Sequence, residues 1–281
     1  MENKTSFKKR VMKFLLLIII AYFFLLSWLL LSVDIIIFPR FRAPNILMTP
    51  KDLGVKYEEI SVETADAKKL CCWYAPAEGA GGLTLIYNHG NAENISTAFN
   101  HAYAIAKKLG ASLFIYDYRG YARSEGAPST ASFYDDCDSV YRYVSSRPEL
   151  KNDKFIVYGR SLGGAAAVHM ASKFPCHRLI TESTFVSVPL HIWFNPVLFV
   201  FYPFVREYLP SSEKARDVTA PWLIIHGGRD GVISVKNAHA LNALDIKAKR
   251  SMYIVDEASH NNVMKLRGDE YLNKIYDFVN K

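Results

Sequence analysis

Lys154-Phe155-Ile156-Val157-Tyr158-Gly159-Arg160-Ser161-Leu162-Gly163-Gly164-Ala165-Ala166-Ala167 decides how the rest of the chain is read. An apolar run rich in aromatic and β-branched residues stops at a glycine. One serine follows between glycines, then a run of small residues. The pattern is G-x-S-x-G between a strand and a helix, the turn that exposes a serine nucleophile at its tip. Such a turn strains the serine backbone and crowds its neighbours, which gives glycine at 159 and 163 a steric reason. The helix beginning near Ser161 aims free N–H groups and a positive dipole end at the serine. Gly164 and the three alanines let that helix lie close to a sheet. The plainer alternative is a glycine-rich turn with an incidental serine.

The chain has 281 residues and a formal net charge of +7. Residues 1–42 carry +5 of it, through Lys4, Lys8, Lys9, Arg10, Lys13, Arg40 and Arg42 against Glu2 and Asp34. The basic balance therefore belongs to the N-terminal region and suits a membrane surface rather than nucleic acid. No basic stripe marks the remainder. After the basic flank at 1–13, residues 14–33 are apolar except for Ser27, Ser32 and the amphipathic Tyr22, and residues 35–38 extend the run. About twenty apolar residues at ~1.5 Å each cross a bilayer core. A cleaved signal peptide competes, but its apolar region is shorter and a small-residue cleavage site should follow. Here the run ends in Ile-Ile-Ile-Phe-Pro-Arg, so residues 14–38 are expected to be an uncleaved anchor. More basic residues precede it than closely follow it. That puts the N-terminus in the cytoplasm and the folded domain on the other side. Residues 39–53, with Pro39, Pro44 and Pro50, read as a connector, and residues 54–281 as one domain.

That domain alternates strands with helices. Strands are expected at 55–62, 68–74, 83–88, 111–116, 154–158, 178–181, 222–226 and 252–255. Helices are expected up to about Leu109, with Gly110 as cap, at 129–146, after Ser161, near 235–244 and at the C-terminus. In the last of these, Tyr271, Ile275 and Phe278 share a face. This order implies α/β architecture with a mostly parallel sheet covered on both sides. Cys71, Cys72, Cys137 and Cys176 have no metal-binding spacing. They read as buried thiols, with one disulfide possible in an oxidising compartment. Cys71 and Cys72, adjacent in a strand, should face opposite sides.

A serine hydroxyl needs a base to take its proton and an acid to orient that base. After such a turn the chain order is serine, then Asp or Glu, then His. Of the six histidines that follow Ser161, only His260 lies in a loop just after the last strand, where ligands bind in such sheets. His239 reads as a helix-surface residue and His169 as part of the elbow helix. Asp230 closes His226-Gly-Gly-Arg-Asp after the penultimate strand and is preferred as the acid. Asp256 and Glu257 are too near His260 in sequence to face its ring comfortably. The oxyanion of a tetrahedral intermediate needs fixed N–H donors. These are the backbone N–H of Leu162 and, from the loop His89-Gly90-Asn91-Ala92, that of Asn91. His89 precedes the serine and reads as a support for that loop.

Five motifs in order now carry a resemblance: residues 88–92 (NHGNA), 117–126 (DYRGYARSEG), 159–164 (GRSLGG), 226–230 (HGGRD) and 259–261 (SHN). Over roughly residues 50–281 the chain resembles the α/β-hydrolase superfamily, and most nearly its membrane-anchored alpha/beta hydrolase domain-containing branch. The resemblance implies the α/β-hydrolase fold with Ser161, Asp230 and His260 as triad. It also implies that the turn at 117–126 supports the site. Ala122 departs from that branch, which usually has glycine there; this strains the turn and removes no catalytic group.

Residues 182–221 form a long connection. Within it, residues 184–205 are dense in aromatics and broken by Pro189, Pro196 and Pro203, so they do not span a bilayer. This is where such hydrolases insert a lid, here about 184–215. It reads as core-facing helix, as the wall of an acyl pocket, or as a segment dipping into the membrane. The expected activity is hydrolysis of an ester or thioester of a small molecule, lipid or acylated substrate, with no cofactor or metal. A serine peptidase of the same fold and a non-catalytic membrane scaffold are the alternatives.

Overall fold

The computed structural model describes residues 2–31, 37–38, 45–79, 82–91, 93–188 and 209–281. Eight strands form one sheet in the order β1-β2-β4-β3-β5-β6-β7-β8. They are β1 (Glu58–Glu63), β2 (Lys69–Ala75), β3 (Leu83–Asn88), β4 (Ser112–Tyr116), β5 (Lys154–Arg160), β6 (Arg178–Glu182), β7 (Trp222–Gly227) and β8 (Arg250–Val255). β2 runs antiparallel to β1 and β4, and every other pairing is parallel. This is the α/β-hydrolase fold, with helices on both faces of a mostly parallel sheet.

The helices are α1 (Glu2–Leu31), α2 (Ile95–Leu109), α3 (Thr130–Ser146), α4 (Leu162–Lys173), α5 (Ser211–Lys214), α6 (Lys236–Asn242), α7 (Val263–Arg267) and α8 (Asp269–Val279). Successive strand side chains alternate between two cores. Ile86 and Val157 face α3, α4 and α6. Their neighbours Leu85, Tyr87, Ile156 and Tyr158 face α2 and α8. Cys72 and Cys71 divide in the same way between the two cores, and all four cysteines are free thiols.

Local chemistry sets the helix ends. Asn94 caps α2 by accepting from the Ser96 and Thr97 N–H groups, and Gly110 ends it at φ +62°. Ser129 caps α3 through the Ser132 N–H. β8 begins two residues before the expected Met252, because Arg250 and Ser251 extend the pairing with Trp222 and Leu223. In α8 the fully buried face is Tyr271, Ile275 and Val279. Phe278 is only half-buried, since spacing of four continues the stripe more closely than spacing of three.

Within α1, residues 7–28 have a mean hydropathy of 2.3, and none of the window is buried against the protein. Length and composition suit a membrane anchor and a signal sequence alike. Beyond it, Phe38 is 1 % exposed and packs on Phe133 at 5.4 Å between ring centroids. Burying a phenylalanine stabilises by about 1.5–3 kcal/mol, comparable to the ~1–2 kcal/mol cost of fixing one residue's backbone. Of the aromatic segment expected to form a lid, residues 189–208 lie outside the described residues, as do connector residues 39–44.

Candidate active site

Ser161 sits between β5 and α4 at φ +53°, ψ −117°, a strained conformation for a residue with a side chain. The surroundings hold it there. Its N–H donates to the Glu182 carbonyl at 2.8 Å, and its own carbonyl accepts from the Thr184 hydroxyl at 2.8 Å. A Cβ on Gly159 would fall 2.0 Å from the Gly163 carbonyl oxygen, and one on Gly163 would fall 2.1 Å from the Asn88 oxygen. One on Gly164 would fall 2.1 Å from the Thr184 hydroxyl, so the close approach of helix to sheet needs all three glycines.

Sheet register brings the other groups to the same edge. Asn88 at the end of β3 pairs with Gly159, and Gly227 at the end of β7 pairs with Val255 at the end of β8. Asp230 and His260 follow those last two strands directly. His260 Nδ1 lies 2.7 Å from Asp230 Oδ2, and His260 Nε2 lies 3.0 Å from Ser161 Oγ. A carboxylate at Nδ1 requires the proton on that nitrogen. The Nε2 lone pair is then left to face the serine hydroxyl.

Asp230 is well supplied with donors. Its Oδ1 accepts from the Val232 and Ile233 N–H groups, both at 2.8 Å. His226 Nε2 lies 3.3 Å from its Oδ2 and 2.8 Å from the Ile233 carbonyl, two acceptors that fix a proton on that nitrogen. Burial raises the Asp230 carboxyl, but hydrogen bonds from His226, His260 and Ile233 hold it well below the usual carboxylate range. It is therefore an anion near neutral pH, as a partner for an imidazolium must be.

The two expected N–H donors come from the turn after β5 and from the loop after β3. Leu162 is the first residue of α4, where helix geometry leaves an N–H without an internal acceptor. Asn91 belongs to the loop after β3. Among the described residues neither N–H is spent on another protein group. The Asn91 side chain is fixed at both ends: its oxygen accepts from the Tyr121 hydroxyl at 2.6 Å, and its nitrogen donates to the Ile37 carbonyl. His89 has the supporting position expected of it, fully buried, with Nδ1 on the Gly90 carbonyl at 2.7 Å and Nε2 3.2 Å from Asp117.

Sequence reading missed a polar clamp beneath the serine. Arg160, 8 % exposed, donates to Glu93 and to Asn261, and Glu93 in turn accepts from the Gly90 N–H at 2.8 Å. Two loops, the one after β3 and the one after β8, are thus tied to the residue before Ser161. Behind it, the buried Glu182 carboxylate accepts from Tyr158 and Tyr271 and faces His101 at 3.4 Å. The available signal was a charged residue at the variable position of the motif, where the turn leaves little solvent. His239 is exposed, and His169 is buried against Asp138 at 2.9 Å, away from the serine cluster.

Comparisons with known proteins agree with this architecture. A family model described as serine aminopeptidase, S33, matches residues 83–213. The chain is 29% identical over 221 residues to alpha/beta hydrolase domain-containing protein 17C of Mus musculus. That match covers 77% of this chain and 65% of the mouse protein, so the chain spans just under two thirds of that relative's length. It is also 29% identical over 252 residues to protein bem46 of Schizosaccharomyces pombe, covering 86% of this chain and 82% of that one. Among solved structures, the Pyrococcus furiosus esterase Pf2001 superposes with a TM-score of 0.72 at 17% identity, over 85% of this chain and 95% of that one. Mouse alpha/beta hydrolase domain-containing protein 10 superposes with a TM-score of 0.61 at 16% identity, over 79% and 98%. At such identities the structural likeness speaks for the fold alone.

Proposed function

We propose that the chain, whose fold and relatives are those of α/β-hydrolases of esterase and serine-hydrolase type, is a membrane-anchored enzyme that cleaves carboxylic esters or thioesters through an acyl-enzyme. Ser161 attacks the carbonyl carbon. His260 takes the hydroxyl proton at Nε2 and returns it to the leaving alcohol or thiol. Asp230 orients the ring and stabilises the imidazolium. The N–H groups of Leu162 and Asn91 receive the oxyanion. Water then attacks the acyl-enzyme, with His260 as base again, and Ser161 is released. The observation that carries the reading is the unbroken relay Asp230–His260–Ser161, at 2.7 and 3.0 Å, on a strained serine. In this reading α1 holds the enzyme in a membrane, with the hydrolase domain on the non-cytoplasmic side, and the substrate is lipid-like or acylated; the expected anchor bound at residue 38 is too long, because Phe38 belongs to the hydrolase core.

The description of the matched family model favours a second reading, an aminopeptidase. That activity needs free acidic groups at the mouth to hold a substrate amine. Glu182 is committed to Tyr158, Tyr271 and His101, and Glu93 to Arg160 and Gly90. The two readings separate in one assay, turnover of p-nitrophenyl esters of increasing acyl length against aminoacyl p-nitroanilides. Ester turnover that is lost in Ser161→Ala is the expected result. Anilide turnover without ester turnover would transfer the assignment to a peptidase, and activity unchanged in Ser161→Ala would remove the serine mechanism altogether.

A further inference from the structure

The way the chain leaves α1 bears on where the substrate comes from. Six Cα–Cα steps separate Leu31, the last residue of α1, from Ile37. Whatever path they take, they reach no farther than about 21 Å at ~3.5 Å per residue. At the far end of that tether the Ile37 carbonyl accepts from the side chain of Asn91, and Phe38 is buried in the core. Asn91 is also the residue proposed above to supply a backbone N–H to the oxyanion. The chain returns to the same place after residue 44. The Asn45 carbonyl accepts from Asn94 at 2.7 Å, and the Leu47 and Met48 N–H groups donate to the Ser96 hydroxyl at 3.0 and 2.8 Å. Both ends of the connector are therefore stitched to the loop after β3 and the first turn of α2. The hydrolase domain has few large exposed apolar side chains, and two of them stand at this end of the sheet: Leu47, 76 % exposed, and Val232, 55 % exposed, two residues after Asp230.

We propose that this tether holds the mouth of the active site against the bilayer spanned by α1, so that the enzyme takes long-chain acyl esters or thioesters directly from the membrane leaflet. The proposal rests on the serine-hydrolase and anchor readings above. Attached at Asn91, the tether leaves the catalytic edge within a tether length of the lipid, with Leu47 available to sit among the headgroups.

The test uses the full chain in phosphatidylcholine vesicles with two esters: soluble p-nitrophenyl acetate, and a fluorogenic palmitoyl ester dissolved in the bilayer. In one variant a flexible twelve-residue Gly/Ser segment is inserted between Ser32 and Val33; in another, Leu47→Asp changes the rim. Both should turn over the soluble ester at the parental rate and lose at least about tenfold on the bilayer ester. Equal turnover of the bilayer ester by parent and variants would overturn the proposal. If an insertion impairs both activities, the height of the site decides. A fluorophosphonate dye on Ser161 of the parent should transfer energy to headgroup acceptors as expected for a few tens of ångströms or less. A dye well beyond that distance would overturn the proposal while leaving the hydrolase reading intact. Absence of both labelling and soluble-ester turnover would overturn the two together.

Discussion

The guanidinium of Arg160 donates to the side-chain oxygen of Asn261 at 2.7 Å, so the residue before Ser161 holds the residue after His260. The other arm of the same guanidinium holds Glu93, which holds the Gly90 N–H of the loop carrying Asn91. Ser161, His260 and the loop after β3 come from distant parts of the sequence, and this one planar group ties them together. Burial works against the charge on Arg160, and Glu93 and Glu182 more than offset it, so the guanidinium stays protonated throughout.

Arg160 is therefore expected to act as a positioning residue. Misplacing reacting groups by about 1 Å costs on the order of a hundredfold in rate. Arg160→Ala should lower kcat about 10–100-fold on a soluble ester and leave KM little changed. Arg160→Lys should recover part of the loss, because an ammonium satisfies the charge of Glu93 but lacks the fork that reaches Asn261. Removing Arg160 also leaves Glu93 and Glu182 without their buried cation, a change on the order of 3–5 kcal/mol that threatens folding. Asn261→Ala avoids that problem and should still lower kcat. Wild-type kcat in Asn261→Ala and Arg160→Lys alike would end the positioning role.

A second expectation concerns acid. Glu182 is fully buried; burial raises its carboxyl, but His101, Arg160 and Tyr158 together hold it well below the ordinary 4.5. Asp230 is likewise held below the ordinary 3.8. Between the unfolded and folded values the unfolded chain binds more protons, so stability rises with pH there. The contribution is fully present above about the ordinary values and is lost as pH falls toward the depressed ones. Thermal unfolding followed from pH 7 down to pH 3 should show a steep drop in Tm below about pH 4.5. Glu182→Gln should start lower and fall less steeply, so that the two curves converge in acid. Parallel curves would mean that folding does not hold the Glu182 carboxyl below its ordinary value.

Much of this was legible in the sequence, for identifiable reasons. The fold was readable because β3, β5 and β7 are short apolar runs, each ended by a polar or glycine-rich turn, and such runs have few other uses. Ser161, Asp230 and His260 were readable because each directly follows a strand, and parallel strands end at a common edge. The structure brings these three side chains into contact. The clamp was readable only as one charged residue in a crowded turn; its partners were not. Glu93 and Asn261 lie 67 and 101 residues from Arg160, and nothing local distinguishes them from solvated residues. The attachment of Ile37 to Asn91 was hidden for the opposite reason, since it lies inside an apolar run whose composition already had a sufficient explanation in the membrane.

The glycines around the serine give a sharp stability contrast. A methyl group at Gly159 would lie 2.0 Å from the Gly163 carbonyl oxygen and 2.7 Å from Ala167 Cβ, inside a junction that cannot open without moving α4 off the sheet. Gly79 has nothing within 4 Å of the same position. Gly159→Ala should cost upwards of about 3 kcal/mol and yield little soluble protein. Gly79→Ala should lie within ~0.5 kcal/mol of the parent. Urea unfolding of the two proteins measures the difference. A stable Gly159→Ala would mean that the elbow is looser than its contacts imply.

Ala122 offers the reverse experiment. It sits at φ +41° in the turn after β4, a conformation that favours glycine. The conformation is imposed by its neighbours: the Tyr121 N–H donates to the Tyr118 carbonyl at 3.0 Å, and the Ser124 N–H to the Tyr121 carbonyl at 2.8 Å. An L side chain in the left-handed region costs about 1–2 kcal/mol. Glycine removes that strain but loses ~0.5–1 kcal/mol more conformational freedom on folding. The balance favours Ala122→Gly by about 0.5–1 kcal/mol, a rise in Tm of roughly 1–4 °C for a domain of this size. Ala122→Val should fall instead, since a β-branched side chain tolerates positive φ least. Because Ala122→Gly changes neither these backbone hydrogen bonds nor the Tyr121 hydroxyl that holds Asn91, ester turnover should stay at the parental level. A lower Tm for the glycine variant would mean that the Ala122 methyl gains more from packing than it loses to strain.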